Sequence, residues 1–317
     1  MALTIAGALP PVFFVMALGY FAGKRRIVDN SNVTSINHLV MLFALPISLF
    51  TSIASTKRDV ILDNWWLALV LLVVMVITYA IVYWLQIRFY KVSPSTAAVQ
   101  SLTTAFPNYA SIGLPLTAVV FGPSAALAVA VAIAVGSVTI SPFTLALLEN
   151  ARATASGETG STGRRFLKAL GTSVRKPIFV GPVLGLIWAM IALPMPDLFS
   201  TTLREIGGVA AGVALFLTGL ILSAQAIRVT GNAVVSTLIK NVAQPLIGLG
   251  VVLLLHVPEP FASQALLLLA IPSGFFGILF GISYKERPAV SGSTLVLSSL
   301  LSIVTLSIAI LLLAPGA

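Results

Sequence analysis

The sequence contains no cysteine, and only 9% of its 317 residues are charged. The first absence excludes disulfides, thiolate catalysis and cysteine-ligated metals. The second excludes an ordinary soluble domain, in which about a quarter of the residues are charged. Hydrophobic residues make up 58% of the chain and the mean hydropathy is +1.06. The chain is therefore predicted to cross a membrane several times.

The sequence also lacks the motifs that mark common enzymes. It contains no G-x-S-x-G, no H-E-x-x-H and no G-x-x-x-x-G-K-[ST], so serine hydrolases, zinc proteases and P-loop ATPases have no counterpart here. Its two histidines, His38 and His256, are far apart in the chain. We therefore predict no enzymatic activity, no cofactor and no metal site.

The apolar residues fall into ten runs of roughly the length that crosses a bilayer, which is about 20 residues. These predicted spans are Ala2–Ala22, Val33–Ile53, Trp65–Ile87, Thr96–Phe121, Ser124–Leu148, Pro177–Leu193, Glu205–Ser223, Ala233–Val257, Phe261–Tyr284 and Ala289–Leu313.

Basic residues divide unevenly between the two sides that ten spans define. All Lys and Arg residues except Lys57, Arg58 and Arg204 fall in or beside the loops that follow odd-numbered spans. Positively charged loops stay on the cytoplasmic side, so both termini are predicted to lie outside. Because these residues are spread over short loops and form no basic face, the expected partner is the lipid bilayer and no nucleic acid is expected.

Prolines recur at a nearly constant spacing in the two halves of the chain. "PVFFVMALG", at Pro11–Gly19, and "PIFVGPVLG", at Pro177–Gly185, begin 166 residues apart. Two further pairs are 165 residues apart, Pro107 with Pro272 and Pro123 with Pro288. Two halves of five spans must enter the membrane from opposite sides, as in many secondary transporters. The predicted fold is an all-α membrane protein with ten transmembrane helices in two inverted five-helix repeats; a chance match of Gly and Pro is the alternative.

The longest loop, from Glu149 to Lys176, separates the two halves. It includes "ARATASGETGSTG", whose small polar residues are typical of a flexible linker. The following "RRFLKALGTSVRK" favours a short amphipathic helix on the inner membrane surface, with a solvated linker as the alternative. The predicted division is residues 1–148 for the first repeat, 149–176 for the cytoplasmic linker and 177–317 for the second repeat.

The fourth and ninth spans each contain a proline near mid-membrane. In "TTAFPNYASIGLPL" Pro107 precedes Asn108, and in "LLLLAIPSGFFG" Pro272 precedes Ser273. Proline removes a backbone donor and clashes with the preceding turn, so each helix is expected to break there. A break in hydrocarbon persists only where protein or a cavity surrounds it.

Two breaks from inverted halves are expected to cross and to present half-helix N-termini. The free N–H groups and positive dipole ends of such termini suit a carboxylate. We predict a substrate site formed by Pro107, Asn108, Tyr109, Ser111, Pro272, Ser273 and Gly274. The alternative is that the prolines only shape helix packing.

Charged residues are scarce inside the predicted spans. All nine acidic residues map to loops or span ends, which disfavours sodium/proton exchange. Lys240, followed by Asn241, lies inside the eighth span, where it could balance substrate charge, brace the broken ninth helix or extend to the inner surface. His38 could carry a coupling proton or be an interfacial polar residue. Weaker candidates for the wall opposite the crossing are Ser48, Ser137 and Thr139.

These motifs resemble the auxin efflux carrier family, which includes plant auxin carriers and bacterial permeases for dicarboxylates such as malonate. The resemblance covers nearly the whole chain. It rests on the ten-span plan and on four further features: the Asn-x-x-x-x-Gly-x-Pro-Leu pattern at Asn108, Gly113, Pro115 and Leu116, the "RKPI" at Arg175–Ile178, the Lys240–Pro245 element and the break at Pro272.

The resemblance implies a scaffold of spans 1, 2, 6 and 7 and a transport unit of spans 3–5 and 8–10, which moves against the scaffold as an elevator. It implies that Asn108 contacts the substrate carboxylate, together with backbone amides near Ser273 and Gly274. It also implies a prokaryotic inner-membrane location and is compatible with a homodimer through the scaffold helices. The chain departs from the family pattern at Gly136–Ser137, where asparagine is common, and at Ser298–Ser299, where Ser-Thr is common.

We therefore expect a transporter of small organic anions, such as mono- or dicarboxylates or auxin-like acids, that works with a proton or as a uniporter. A sodium-coupled symporter of the bile-acid type is the alternative within transport. A membrane receptor or structural protein that does not transport is the alternative from another class. Substrate counterflow in liposomes distinguishes that last class from the transporters.

Overall fold

The computed structural model of this protein describes residues 2–31, 33–155, 177–224, 228–284 and 288–313, with positions 163, 164, 167, 171, 175 and 286. Within these residues every regular element is a helix. Most of the predicted surface helix before Lys176 lies outside the described residues. The chain is therefore all-helical where it is described, as its composition predicts.

The principal helices are labelled in chain order. They are α1 Ala2–Lys24, α2 Thr34–Ala54, α3 Trp65–Arg88, α4 Pro94–Ala105, α5 Tyr109–Phe121, α6 Ala126–Arg152, α7 Pro177–Met190, α8 Asp197–Ala224, α9 Gly231–Leu255, α10 Phe261–Ala270, α11 Phe276–Ser283 and α12 Ala289–Leu313. In the described part of the chain, six of them are long and apolar enough to cross a membrane, namely α2, α3, α6, α8, α9 and α12. The protein is thus a polytopic membrane protein.

Three helices widen into a π-helical turn shortly before a proline. The turns are Leu39–Ala44 in α2, Tyr109–Gly113 in α5 and Ile239–Ala243 in α9. The prolines are Pro46, Pro115 and Pro245, each two residues beyond its turn. Proline cannot donate to the carbonyl four residues earlier, and its ring clashes with that carbonyl. A wider turn relieves the clash at these three prolines.

The helices pack into two sets with α5 between them. In one set α1 packs along α8, and α2 packs on α7 and α8. A Cβ at Gly219 would overlap the carbonyl of Met16, so α1 and α8 touch backbone to backbone. In the other set α3 packs on α4, α4 on α6 and α11, and α9 on α10 and α12. Helix α5 contacts both α1 and α8 of the first set.

Candidate functional site

Both predicted interruptions are present. Helix α4 ends at Ala105 and α5 begins at Tyr109, whereas α10 ends at Ala270 and α11 begins at Phe276. A proline ring disfavours the helical conformation in the preceding residue. Phe106 (φ −101°, ψ 100°) and Ile271 (φ −59°, ψ 137°) accordingly leave the helix. The two local breaks therefore have the same chemical cause.

The two interruptions meet as a short antiparallel bridge, Pro107 opposite Ser273. The N–H of Asn108 donates to the Pro272 carbonyl at 2.9 Å, and the N–H of Gly274 donates to the Phe106 carbonyl at 2.9 Å. A Cβ at Gly274 would overlap that Phe106 carbonyl, so the approach requires glycine. We call residues 106–108 and 272–274 the crossing.

The first half of one span lies against the second half of the other. Gly277 of α11 packs on Thr103 of α4, and Gly281 packs on Val99. Farther along, the Ser95 hydroxyl donates to Glu286 Oε1 at 2.6 Å. Helices α4 and α11 are therefore antiparallel, and the C-terminal end of α4 lies beside the N-terminal end of α11 at the crossing.

Lys240 is fully buried, at 0% exposure, and does not reach a membrane surface. Its Nζ donates to Gln244 Oε1 at 2.6 Å and to the Leu269 carbonyl, in the last turn of α10, at 2.8 Å. Gln244 Nε2 in turn donates to the carbonyl of Ala105, the last residue of α4, at 2.9 Å. Lys240 and Gln244 thus donate hydrogen bonds to carbonyls at the ends of α10 and α4, respectively.

Asn241 reaches the crossing through Ser298 of α12. Its Nδ2 donates to the Ser298 carbonyl at 3.0 Å, and the Ser298 hydroxyl donates to Asn241 Oδ1 at 2.6 Å. The N–H of Ser273 donates to the same hydroxyl oxygen at 2.9 Å. Ser298 therefore holds the backbone of the crossing.

The side chain of Asn108 turns toward α8. Its Nδ2 donates to Thr218 Oγ1 at 3.3 Å, and Ser111 Oγ lies 3.0 Å from the same oxygen. The Thr218 hydroxyl donates to the Ala214 carbonyl of its own helix at 2.9 Å. Ser111 Oγ also donates to that carbonyl at 3.1 Å, so Asn108 and Ser111 meet α8 at the Thr218 hydroxyl and the Ala214 carbonyl.

Two buried polar atoms at the crossing have no hydrogen-bond partner among the described residues. They are Asn108 Oδ1 and Ser273 Oγ, on side chains that are 1% and 0% exposed. Leaving a buried polar atom unpaired costs about 1–3 kcal/mol. Such atoms are rare in folded proteins and call for an explanation, which a ligand would supply.

Aromatic rings surround the crossing on the side of α6 and α3. The rings of Phe106 and Phe276 are stacked with centroids 5.1 Å apart. The Phe106 ring also fills the space beside Gly136, where a Cβ would approach it to 2.6 Å. The hydroxyl of Tyr109 points to Met75 Sδ of α3, 4.0 Å away. Glycine at position 136 thus makes room for an aromatic ring.

The structure brings together some of the predicted residues and separates others. Pro107, Asn108, Pro272, Ser273 and Gly274 form the crossing, and Ser111, Lys240 and Asn241 contact it or its neighbours.

The weaker candidates lie elsewhere or are occupied by other contacts. The backbone of half-buried Ser48 packs against Gly207 of α8. Ser137 is half-buried, and the Thr139 hydroxyl donates to the Val135 carbonyl of its own helix at 2.6 Å. His38 is exposed on α2.

Three contacts at this site were not predicted as site residues: Thr218, Gln244 and Ser298. Thr218 is a single hydroxyl in the apolar run Ala214–Leu222, where a threonine usually bonds only to its own helix. Gln244 offered a usable signal, because it lies four residues after Lys240 and so shares its helix face.

Comparisons with known proteins identify the family. The family described as "Membrane transport protein" matches residues 4–310. The chain is 30% identical over 302 residues to YfdV of Escherichia coli K12, described as an uncharacterized transporter, and covers 94% of each chain. The corresponding YfdV of Shigella flexneri gives the same values. Auxin efflux carrier component 6 of Arabidopsis thaliana is 29% identical over 148 residues, 44% of this chain and 26% of that protein. The chain therefore belongs to the membrane transport protein family, which is auxin efflux carrier-like, and it is a transporter and not an enzyme.

Proposed function

We propose that this protein is a secondary transporter of small organic anions that binds a carboxylate at the crossing. The observation that carries the proposal is the pair of unpartnered buried atoms, Asn108 Oδ1 and Ser273 Oγ, at the point where two helices begin. A helix start alone is a weak indication of a site. Two buried polar side chains left unpaired beside two helix starts form a much stronger one.

A carboxylate is the ligand that these groups suit. The hydroxyl of Ser273 can donate to one carboxylate oxygen, and the starts of α5 and α11 contribute backbone N–H groups and positive dipole ends. If the Asn108 carboxamide turns by half a rotation, its Nδ2 faces the anion and its Oδ1 accepts from the Thr218 hydroxyl. Asn108 Oδ1 and Ser273 Oγ then both have a partner, which the ligand-free arrangement does not achieve.

The ten-span plan supplies the frame for this site. We take α4 with α5 as one span and α10 with α11 as another, so that α1 to α12 form two inverted halves of five spans. The equal spacing of Pro107 and Pro272 in the sequence supports the pairing. With basic loops inside, both termini lie on the outer face of an inner membrane.

We further propose an elevator mechanism. The set α1, α2, α7 and α8 is the scaffold, and the remaining helices are the transport unit. The backbone contact of α1 with α8 supports a rigid scaffold. The bonds of Asn108 and Ser111 to Thr218 support a site that faces the scaffold across the sliding interface. In this arrangement a homodimer would form through the scaffold.

Thermal stabilisation of the purified protein tests the proposal. The panel contains propionate, malonate and indole-3-acetate, and each is titrated against the native protein and Asn108→Ala. We expect at least one anion to raise the melting temperature of the native protein and the substitution to weaken that effect at least tenfold in concentration. No stabilisation by any organic anion, or equal stabilisation of Asn108→Ala, would refute the site.

Counterflow in liposomes then separates transport from binding alone. An anion that stabilises the protein should exchange across the bilayer through the native protein and not through Asn108→Ala. Repeating the exchange at several pH values and with and without sodium distinguishes proton coupling, sodium coupling and uniport. Binding without counterflow would favour the receptor alternative.

A further inference from the structure

The π turn of α9 and the residue after it direct three buried polar side chains at the crossing. Lys240, Asn241 and Gln244 are each no more than 3% exposed. The turn, Ile239–Ala243, precedes Pro245, and such turns are frequent at functional sites. In the first half of the chain, the positions 165 residues before Lys240 and Gln244 hold Met75 and Tyr79. The polar arrangement is therefore specific to one half.

Lys240 and Gln244 act on carbonyl groups and not on N–H groups. The last carbonyls of a helix have no partner within it, and that end carries partial negative charge. Lys240 donates to the Leu269 carbonyl of α10 and Gln244 to the Ala105 carbonyl of α4. The bond from Lys240 Nζ to Gln244 Oε1 joins these two contacts into one unit.

Asn241 fixes the remaining part of the same break. It holds Ser298, and Ser298 accepts the N–H of Ser273. Ser273 is thus held by its backbone while its hydroxyl stays unpaired. A backbone-held residue with an unpaired side chain is preorganised to bind, because little conformational freedom remains to be lost.

We infer that Lys240, Asn241 and Gln244 are positioning residues of the carboxylate site. They hold the ends of α4 and α10 and the backbone of Ser273, and Lys240 binds the Leu269 carbonyl and Gln244, not the substrate. The inference rests on the proposed function, because it concerns the same site. Of the roles considered for Lys240, the inference chooses the one in which it braces the broken helix, and it excludes a direct contact between its charge and the anion.

A double-mutant cycle tests the inference. The dissociation constants of the panel anions are measured for the native protein, Lys240→Met, Gln244→Met and the double variant, with Lys240→Arg as the conservative variant. Positioning predicts that each single substitution weakens binding about tenfold or more. It predicts that the double variant loses about as much as one single, because the residues act as a unit. Lys240→Arg should recover most of the affinity, since it keeps a cationic donor.

Comparing anions of different charge distinguishes a positioning role of Lys240 from a direct contact with the ligand. The loss should be the same factor for every panel anion that binds, because Lys240 touches none of them. A larger loss for malonate than for propionate, or normal binding by Gln244→Met when Lys240→Met loses affinity, would identify a direct contact and overturn the inference. Native affinity in Lys240→Met would overturn it also.

The design keeps the two proposals separable. If the native protein binds an anion and Asn108→Ala abolishes that binding, the proposed function stands whatever position 240 shows. If Lys240→Met does not fold, Gln244→Met decides alone: about tenfold weaker binding supports the positioning role, and native affinity overturns it. If the native protein binds none of the anions, both proposals fail.

Discussion

The α9 side of the crossing and its ligand side differ in how completely their polar atoms are paired. On the α9 side, both polar atoms of Asn241 and both of Gln244 have partners, and Lys240 makes two hydrogen bonds. On the ligand side, Asn108 Oδ1 and Ser273 Oγ have none among the described residues. Thr237 Oγ1, one turn before Lys240 on α9, is also unpaired among the described residues, but the three α9 side chains that reach the crossing are paired. The contrast between those three side chains and the pair Asn108 and Ser273 supports the proposal that a solute binds to the unpaired atoms.

The largest effect is expected from Asn108→Asp, which puts a negative charge where the contrast predicts an anion. Like charges in contact across an interface cost several kcal/mol, so anion affinity should fall more than about a hundredfold. Asn232→Asp is the matched control, because Asn232 pairs with Gln86 away from the crossing. Titration of the panel anions against thermal stability measures both variants. Retained affinity in Asn108→Asp would show that the carboxylate binds elsewhere.

A second, smaller effect is expected from Gly274→Ala, which disturbs both sides at once. The added methyl would overlap the Phe106 carbonyl, and such overpacking costs about 1–3 kcal/mol. Melting temperature should fall and counterflow should be lost. Gly250→Ala is the control, because a Cβ at Gly250 meets nothing within 4 Å. Equal melting temperatures for the two variants would contradict the close backbone approach at the crossing.

The smallest effects are expected from Ser298→Ala and Ser273→Ala. These two serines lie in the same hydrogen-bond network, so they compare its paired and unpaired sides most directly. Ser298→Ala removes the partner of the Ser273 N–H and of Asn241 Oδ1, and it should destabilise the ligand-free protein by about 1–3 kcal/mol. Ser273→Ala removes a hydroxyl that has no partner. It should leave the ligand-free melting temperature unchanged or higher and weaken anion binding about tenfold.

Melting curves with and without anion, recorded for both serine variants, check this pair. A loss of ligand-free stability in Ser273→Ala would mean that its hydroxyl is already paired. Full ligand-free stability of Ser298→Ala would mean that the contacts from Asn241 through Ser298 to Ser273 do not stabilise the break at Pro272.

Local chemistry made the all-helical class and the two helix breaks readable from the sequence. The breaks were predicted from Pro107 and Pro272 and are present. The π turns before Pro46, Pro115 and Pro245 were not predicted, and proline alone does not produce them, because Pro182 lies inside a helix without such a turn. The presence of Asn108 and Ser273 beside the breaks was equally local. Each of these predicted features depends on residues within one or two turns, which is the range over which sequence patterns act directly.

The hydrogen-bond partners of the site residues could not be predicted from the sequence, because they lie far away in the chain. Thr218 is 110 residues from Asn108, and Ala105 is 139 residues from Gln244. A buried lysine in an apolar run fits several surroundings equally well. Only the packing shows that Lys240 faces the ends of helices instead of the membrane surface.

The two backbone hydrogen bonds of the crossing join spans from opposite halves of the chain, each giving one N–H and accepting one. Sliding one span against the other would break both bonds. In the elevator mechanism that we propose, the two spans would therefore have to move together as one rigid piece.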